Sequence, residues 1–266
     1  MRHFTLNRLF LCTALWLGVP AIASAGGSVN PVEVMQHNFM ASKISAFNCD
    51  VTITLVASQG QERVRKLRMW SKLKDKTTDS EVLIRFDQPG DIKGTGFLQI
   101  EKPAEDDDIW VFLPALGKTR RMVANAKRDS FFGTDFSYGD ILLPAVNRYD
   151  HTYLRTETLG GDTCDVIESK PKDDKTRDES GYSRKVIWLD ATSHVERKVE
   201  YYDLSGKLLK TQRAFDIQNI EPSRWIPLRR EMVNNQTGHK TLYQLEHITR
   251  DRNNEEFFTA RNLEHM

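Results

Sequence analysis

The sequence predicts an α+β fold that is mainly β and is built on a single antiparallel sheet. One amphipathic helix stands near the start of the chain, about a dozen segments with strand-like alternation follow it, and short turn sequences separate many of them. Consecutive strands that are joined by short turns form meandering antiparallel sheets. A sheet of this size tends to curl, and helices in the mouth of the curve would enclose an apolar cavity.

Residues 1–25 have the features of a secretory signal peptide. Arg2 and Arg8 give it a positively charged start, an apolar run extends over 9–19, and the small residues Ala-Ser-Ala stand at its end. The run is shorter than the roughly 20 residues that span a bilayer, which argues against a retained membrane anchor. We therefore predict export to a Gram-negative periplasm and a mature protein, residues 26–266, that forms one domain.

The charge balance argues against nucleic acid as a partner. The chain holds 38 Lys and Arg residues and 37 Asp and Glu residues, and removal of Arg2 and Arg8 with the leader changes the formal charge from +1 to −1. Binding to nucleic acid depends on a basic footprint that neutralises phosphates. A nearly neutral chain does not offer one.

Two cysteines, Cys49 and Cys164, remain after cleavage of the leader. An oxidising compartment permits a disulfide between them, and closing so long a loop would stabilise the fold by roughly 4 kcal/mol on loop-entropy grounds. The alternative is two unpaired cysteines that are buried as small hydrophobes. The sequence leaves both alternatives open. It contains no Cys-x-x-Cys motif, so thiol-redox catalysis is not expected.

The helix is predicted to begin at Asn30, a good N-cap residue, with Pro31 in the first helical position. The segment 125–146 predicts short helices or an ordered loop, and the charged segment 171–180 predicts a solvated loop. The predicted strands are 50–57, 62–73, 81–86, 96–101, 108–113, 118–123, 149–158, 165–170, 181–190, 194–203, 207–216, 225–233 and 240–249.

Motifs for catalysis or for a metal centre are missing from the sequence. The chain contains no HExxH, GxSxG, Walker or GxGxxG motif, and its histidines form no ligand-like pair. The acidic run 105–108 lacks the spaced oxygen ligands and the turn glycine of a dedicated calcium loop. We therefore expect no catalytic residue, no metal and no cofactor. A secreted hydrolase with an unrecognised site is therefore the functional hypothesis that the sequence supports least.

The most distinctive stretch of the chain is residues 110–140. It reads Trp110-Val111-Phe112-Leu113-Pro114, then Arg120-Arg121, then Phe131-Phe132-Gly133-Thr134-Asp135-Phe136-Ser137-Tyr138-Gly139-Asp140. Together with the upstream Gly94-Thr95-Gly96-Phe97-Leu98, these residues resemble the LolA-like outer-membrane lipoprotein-sorting proteins. The resemblance is to the branch with the signature W-x-F-x-P, RR and F-x-G-T-D-F-S-Y-x-D, and it extends from about residue 30 to 250.

The resemblance implies a strongly curved antiparallel half-barrel in the periplasm, with helices over its open side and an apolar cavity beneath them. It implies a non-enzymatic carrier or binding protein for lipids or lipoproteins that transfers acylated cargo between the envelope membranes. The partners that it implies, besides acyl chains, are an inner-membrane RND-type transporter and an outer-membrane acceptor. The alternative function is an interaction or sensor module that uses the same fold to regulate envelope proteins.

Apolar walls suit such cargo, because each CH₂ group of an acyl chain that is exposed to water costs about 0.8 kcal/mol. The candidate residues for the cavity or its lid, each of which has a core role as the alternative, are Trp70, Phe86, Phe97, Trp110, Phe112, Phe131, Phe136, Tyr138 and Trp188. Which strand face lines the cavity stays open, because a slip of one residue in register exchanges the two faces.

Two arginines that follow each other in a predicted strand, Arg120 and Arg121, point to opposite faces of the sheet. One of them is expected to pair with Asp135 or Asp140 and so pin the aromatic loop. The alternative is that one of them binds a lipid headgroup, for which the guanidinium group is well suited.

Overall fold

The computed structural model describes, apart from Met1, residues 29–74, 77–102, 105–142, 145–251 and 255–265. Apart from Met1, the predicted signal peptide lies outside the described residues. In the part of the chain that is described, no helix is both long enough and apolar enough to cross a membrane.

Thirteen strands of the described residues form one antiparallel sheet. They are β1 (Ala46–Val56), β2 (Glu62–Leu73), β3 (Ser80–Gln88), β4 (Gly96–Ile100), β5 (Asp108–Leu113), β6 (Lys118–Arg121), β7 (Tyr149–Leu159), β8 (Asp162–Pro171), β9 (Arg184–Asp190), β10 (Glu196–Tyr202), β11 (Leu208–Glu221), β12 (Arg224–Asn234) and β13 (Lys240–Thr249). Their order across the sheet is β6-β5-β4-β3-β2-β1-β13-β12-β11-β10-β9-β8-β7. Two meanders therefore meet at the β1–β13 pair, and β6 and β7 form the edges. The predicted fold class, a mainly-β half-barrel, is confirmed.

Within the described ranges, four short α-helices accompany the sheet, namely α1 (Pro31–Ala41), α2 (Tyr138–Ile141), α3 (Asp174–Ser180) and α4 (Ala260–His265). The helix α1 begins as predicted, because the side chain of Asn30 accepts a hydrogen bond from the amide of Val32 and Pro31 stands in the first turn. Its residues Val34 and Met35 are buried against the sheet. The helix thus lies over the inner, concave face.

The charged segment 171–180 contains a helix, and its prediction as a loop is wrong. Asp173 caps α3 by accepting a hydrogen bond of 2.7 Å from the amide of Thr176. Gly181 ends the helix in the left-handed conformation, with a φ of 74°. These two caps stabilise a helix that has no apolar periodicity of its own.

The chain between β6 and β7 has to pass from one edge of the sheet to the other. The described part of this crossing segment, 122–142 and 145–148, runs over the inner face as short 3₁₀ turns and α2. Its side chains Phe131 and Phe136 are buried in the main core, together with inner-face residues such as Ile53. The crossing segment and α1 therefore cover the concave side of the sheet.

The outer face carries two further apolar clusters. The first lies under the C-terminal segment that contains α4, and its members are Leu83, Leu98, Phe112, Phe258 and Leu263, with Trp70 and Trp110 at the margin. The second consists of Cys164, Val166, Val186 and Trp188. Cationic side chains cover the second cluster. The ammonium group of Lys198 lies 4.0 Å from the centroid of the Trp188 ring.

The two cysteines are unpaired and buried on opposite faces of the sheet. Cys49 belongs to the main core on the inner face, and Cys164 belongs to the second outer cluster. Of the two alternatives that the sequence leaves open, the structure therefore shows two buried thiols and not a disulfide. Burial raises the pKa of Cys49 to about 12 and that of Cys164 to about 11, which makes both poor nucleophiles.

A glycine in β4 lets the C-terminal helix sit directly on the outer face. A Cβ atom at Gly96 would lie 2.6 Å from the Cδ1 atom of Leu263, so only glycine permits this approach. Leu263 is fully buried, and its carbonyl oxygen accepts a hydrogen bond of 2.9 Å from Arg85. This leucine therefore anchors α4 to the sheet.

We expect Leu263→Ala to lower the free energy of unfolding by about 2–5 kcal/mol, because it leaves a cavity under α4. Chemical denaturation, followed by tryptophan fluorescence, measures the change. The matched control is Leu204→Ala in an exposed turn, for which we expect a change within about 0.5 kcal/mol. Equal stability of the two variants would contradict the packing of α4 on β4.

Candidate functional site

An apolar cavity of about 220 Å³ lies between the inner face of the sheet, α1 and the crossing segment. This volume exceeds the roughly 150 Å³ of an engineered apolar cavity that binds benzene. The cavity is therefore large enough for a segment of an apolar chain. Its apolar lining includes Met35, Phe39, Ile44, Phe47, Met69, Val82, Phe136, Ile141, Leu142, Val146, Ile187, Trp225, Ile226, Pro227, Tyr243 and Leu245.

A polar vestibule of about 760 Å³ adjoins the cavity. The residues that line both spaces, and so define their junction, are Phe39, Glu101, Gly139, Leu142, Val146, Tyr149 and Lys185. Several charged groups of the vestibule neutralise one another. Arg148 lies 2.8 Å from Glu179, and Lys175 lies 3.2 Å from Asp106. The inner space is therefore mainly apolar, although Glu101, Lys185, Glu196 and Arg230 also line it, and the outer space is lined largely by polar and charged side chains.

The predicted aromatic residues are divided between the two faces of the sheet. Trp70, Trp110 and Phe112 belong to the outer cluster under α4, and Trp188 belongs to the second outer cluster. These four side chains point away from the cavity, so a place in its wall is wrong for them and the alternative of a core role is correct. The reason is strand alternation, because their neighbours Met69, Val111 and Ile187 face the core. The inner side holds Phe86, Phe97, Phe131, Phe136 and Tyr138.

Of these five inner residues, only Phe136 lines the cavity. The others form, with Phe132, an aromatic plug over β3 and β4. The ring centroids of Phe97 and Phe131 lie 5.6 Å apart, those of Phe131 and Tyr138 lie 5.3 Å apart, and those of Phe86 and Phe132 lie 4.8 Å apart. The aromatic part of the sequence motif therefore fills the half-barrel beside the cavity.

A buried ion pair holds the crossing segment on β11. The Nζ atom of Lys210 lies 2.6 Å from Oδ2 of Asp140 and donates a hydrogen bond of 2.9 Å to the carbonyl oxygen of Asp135. Asp140 also accepts hydrogen bonds from the hydroxyl of Tyr182 at 3.0 Å and from the amide of Ser137 at 2.7 Å. Burial alone would raise the pKa of Asp140, but the charge of Lys210 holds this pKa below its ordinary value.

The predicted partnership of Arg120 or Arg121 with these aspartates is wrong. Arg120 is exposed on the edge strand β6, and Arg121 pairs with Asp108. Asp135 is instead held by Thr241, whose hydroxyl donates a hydrogen bond of 2.7 Å to its carboxylate. Neither arginine lines the cavity or the vestibule, so the alternative of headgroup binding there has no structural support.

Five inward-facing residues stand in register across β7 to β11 and form a polar row. They are His151, Ser169, Lys185, Tyr201 and Lys210. The Nδ1 atom of His151 lies 2.8 Å from the hydroxyl oxygen of Ser169, and burial lowers the pKa of this histidine. All but Lys210 line the cavity, and Lys185 also lines the vestibule. Hydropathy patterning missed this row, because isolated polar residues in a strand usually face solvent.

No group of three His, Cys, Asp or Glu side chains in the described ranges is arranged to hold a metal ion.

The helix α1 is attached to the turn between β9 and β10. The side-chain amide of Asn38 donates a hydrogen bond of 2.8 Å to the carbonyl oxygen of His194, and the rings of His37 and His194 lie 4.9 Å apart. The pKa of His194 is lowered, mainly because the ring is buried and secondly because His37 lies nearby. Asp165 and Asp190 have smaller effects in the opposite direction.

We expect Lys210→Met to lower the free energy of unfolding by about 3–5 kcal/mol, because it leaves the buried carboxylate of Asp140 without its cation. Chemical denaturation gives this value. Adding Asp140→Asn should recover part of the loss, since the asparagine carbonyl still accepts the hydrogen bond from Ser137. Strictly additive losses in the two single variants and the double variant would contradict the ion pair.

We expect acidification from pH 7.5 to 5.5 to lower the melting temperature through His194. The pKa of this histidine is lower in the folded state than its ordinary value of about 6.5, so the unfolded chain takes up the proton first and stability falls as the pH falls. His194→Asn should flatten this dependence, and asparagine tolerates the φ of 57° at this position. The control His239→Asn, at an exposed position, should not alter it. Equal slopes for the two variants would refute the role of His194.

Three solved structures are similar to the chain. A domain assigned to outer membrane lipoprotein sorting, from Vibrio parahaemolyticus, is 28% identical, with a TM-score of 0.80 over 88% of this chain and 98% of that one. A DUF1329 family protein from Desulfovibrio piger is 25% identical, with a TM-score of 0.80 over 88% and 100%. A LolA superfamily protein from Nitrosomonas europaea is 20% identical, with a TM-score of 0.67 over 87% and 98%, and shows the shared fold.

No curated protein matches the chain. A family model described as "uncharacterized protein" matches residues 78–265, which is more than half of the sequence. The match includes the crossing segment, the polar row and the C-terminal helix. The chain therefore belongs to this family of uncharacterized proteins, and it is similar to the LolA-like outer membrane lipoprotein-sorting proteins, as its sequence motif predicts.

Proposed function

We propose that the protein is a non-enzymatic carrier or binding protein for lipids or lipoproteins. The observation that carries the proposal is the apolar cavity, which adjoins a polar vestibule under α1 and the crossing segment. Each CH₂ group of an acyl chain gains about 0.8 kcal/mol on leaving water, and apolar walls supply this burial without directional bonds. The similarity to a domain assigned to outer membrane lipoprotein sorting supports the same function.

We further propose that residues 1–25 are a cleavable signal peptide and that the protein works in the periplasm. In that compartment it would receive acylated cargo from an inner-membrane RND-type transporter and deliver it to an outer-membrane acceptor. The amphipathic enclosure supports this step, because a chain that crosses an aqueous space needs an apolar cover.

The helix α1 is the element that we expect to open for cargo. It supplies Met35 and Phe39 to the cavity wall, and in the described part of the chain a hydrogen bond from Asn38 and the His37–His194 ring contact attach it to the β9–β10 turn. The buried pair of Lys43 with Glu101 follows its C-terminal end and is where we expect it to hinge. The aromatic plug, in contrast, is held by the buried Lys210–Asp140 pair. Opening at α1 exposes the cavity and leaves the plug in place.

Filling the cavity tests the proposal. Ser71 lines the cavity between Phe47 and Val82 in the sheet register. We expect Ser71→Phe to lower the affinity for the neutral apolar probe N-phenyl-1-naphthylamine at least about tenfold, because the added ring occupies the space of the ligand. Fluorescence titration measures the affinity, and native mass spectrometry of protein purified mildly from the periplasm should show a lipid adduct in the wild type only.

Ser71→Ala is the matched control and should bind the probe as the wild type does. Thermal unfolding of both variants shows whether the fold is intact. A wild-type protein that binds no probe and carries no lipid adduct would contradict the carrier function, and the cavity residues would then be core.

A further inference from the structure

We propose that the cavity selects amphiphiles with an anionic group and that Lys185 binds this group at the junction of cavity and vestibule. This inference rests on the proposed function and adds the chemical class of the ligand. Its basis is the position of Lys185, the free donors of its ammonium group, and the occupied state of the neighbouring charges.

The position of Lys185 matches the end of a chain that fills the cavity. It lines both the cavity and the vestibule, and it stands in the middle of the polar row. On the same face of β9, the next inward residues are Ile187 and Leu189, which belong to the main core. A chain that lies against Ile187 therefore has its polar end beside the ammonium group of Lys185.

The charge of Lys185 is surrounded by aromatic rings. Its Nζ atom lies 5.1 Å from the ring centroid of Tyr201, 5.3 Å from that of Tyr182 and 6.0 Å from that of Tyr149. In the chain as described, no carboxylate forms a salt bridge with it. Ring faces attract a cation but do not neutralise it, so the three N–H donors of the ammonium group remain available to a ligand.

The carboxylate that acts on Lys185 from within the fold already has its partners. Burial would raise the pKa of Asp140, but the charges of Lys210 and Lys185 lower it, so this carboxylate acts on both lysines. Its oxygens are occupied by Lys210, by the hydroxyl of Tyr182 and by the amide of Ser137. Lys210 is therefore neutralised inside the fold, whereas Lys185 is the cation of the polar row that faces the ligand space. A carboxylate or a phosphate ester is the group that complements it.

Three acidic residues of the vestibule already have cationic partners, and one of them is Glu101 at the junction, which pairs with the buried Lys43. Asp106 pairs with Lys175, and Glu179 pairs with Arg148. Arg230 is a second cation in the cavity wall, on β12 between Ala214 and Tyr243 in register, but it does not line the vestibule. An anionic group at the cavity mouth therefore meets Lys185 first.

The test compares amphiphiles with the same chain and different heads. Each amphiphile competes with N-phenyl-1-naphthylamine for the protein at pH 8, below its micelle concentration. The four compounds are decanoate, decyl phosphate, decanol and decyltrimethylammonium. We expect the wild type to bind at least one of the two anions about tenfold more tightly than decanol, and the cation more weakly than decanol. The ratio of decanoate to decyl phosphate distinguishes a fatty-acid ligand from a phospholipid-type ligand.

In Lys185→Met, we expect both anions to bind within about twofold of decanol, with the decanol affinity unchanged as the internal check on folding. The control variant is Lys127→Met, which removes a cation of the vestibule that does not line the cavity. It should retain the anion preference. Survival of this preference in Lys185→Met, or an equal loss in Lys127→Met, would overturn the assignment.

Two further outcomes separate this inference from the function on which it rests. If wild-type protein binds decanol and the anions alike, or prefers the cation, the anion selectivity is wrong while the carrier function stands. If none of the four amphiphiles displaces the probe, the carrier function fails and the selectivity fails with it.

Discussion

Because β6 and β7 are consecutive in the chain but form opposite edges of the sheet, the segment between them has to cross the inner face. This crossing determines what occupies the half-barrel. Its aromatic residues form the plug over β3 and β4, and the space that the plug leaves free under α1 is the cavity. The crossing also brings Asp140 into the interior, and the buried carboxylate requires the charge of Lys210.

The two covers of the concave side are therefore attached in different ways. The crossing segment is held by a buried ion pair and by the hydrogen bonds of Asp135 to Thr241 and Lys210. The helix α1 is held by apolar contacts and by the link from Asn38 to His194. Just after its C-terminal end, the buried Lys43 pairs with Glu101 and ties the chain to the sheet. An opening of the proposed carrier would therefore hinge at Lys43 and move α1, while the plug and the rest of the fold persist.

The sequence predicts the strands well and the faces of the strands poorly. Alternation and turn residues locate all thirteen strands, because these signals are local. The direction in which a strand side chain points depends on what covers each face of the sheet. In this protein both faces are covered, because α4 lies over Leu98 and Phe112 and a lysine side chain lies over Trp188 on the outer face. An aromatic side chain in a strand therefore fits either face equally well, and for this reason Trp188 is a cavity candidate in the sequence although it lies on the outer face. The same limit applies to Lys185, because an inward-facing lysine looks like a surface residue until its neighbours in the sheet are known.

The size of the cavity bears on how the fold would serve a carrier. A volume of about 220 Å³ lies below the roughly 300–1,000 Å³ of pockets that enclose drug-sized ligands. The closed form therefore takes up only part of a long acyl chain, and a complete chain requires displacement of α1, which forms part of the cavity wall. The cost of exposing the apolar side of α1 is offset when an acyl chain replaces it against the sheet. Cargo and helix would thus compete for the same apolar surface, with the anionic group at Lys185 fixing the orientation of the chain.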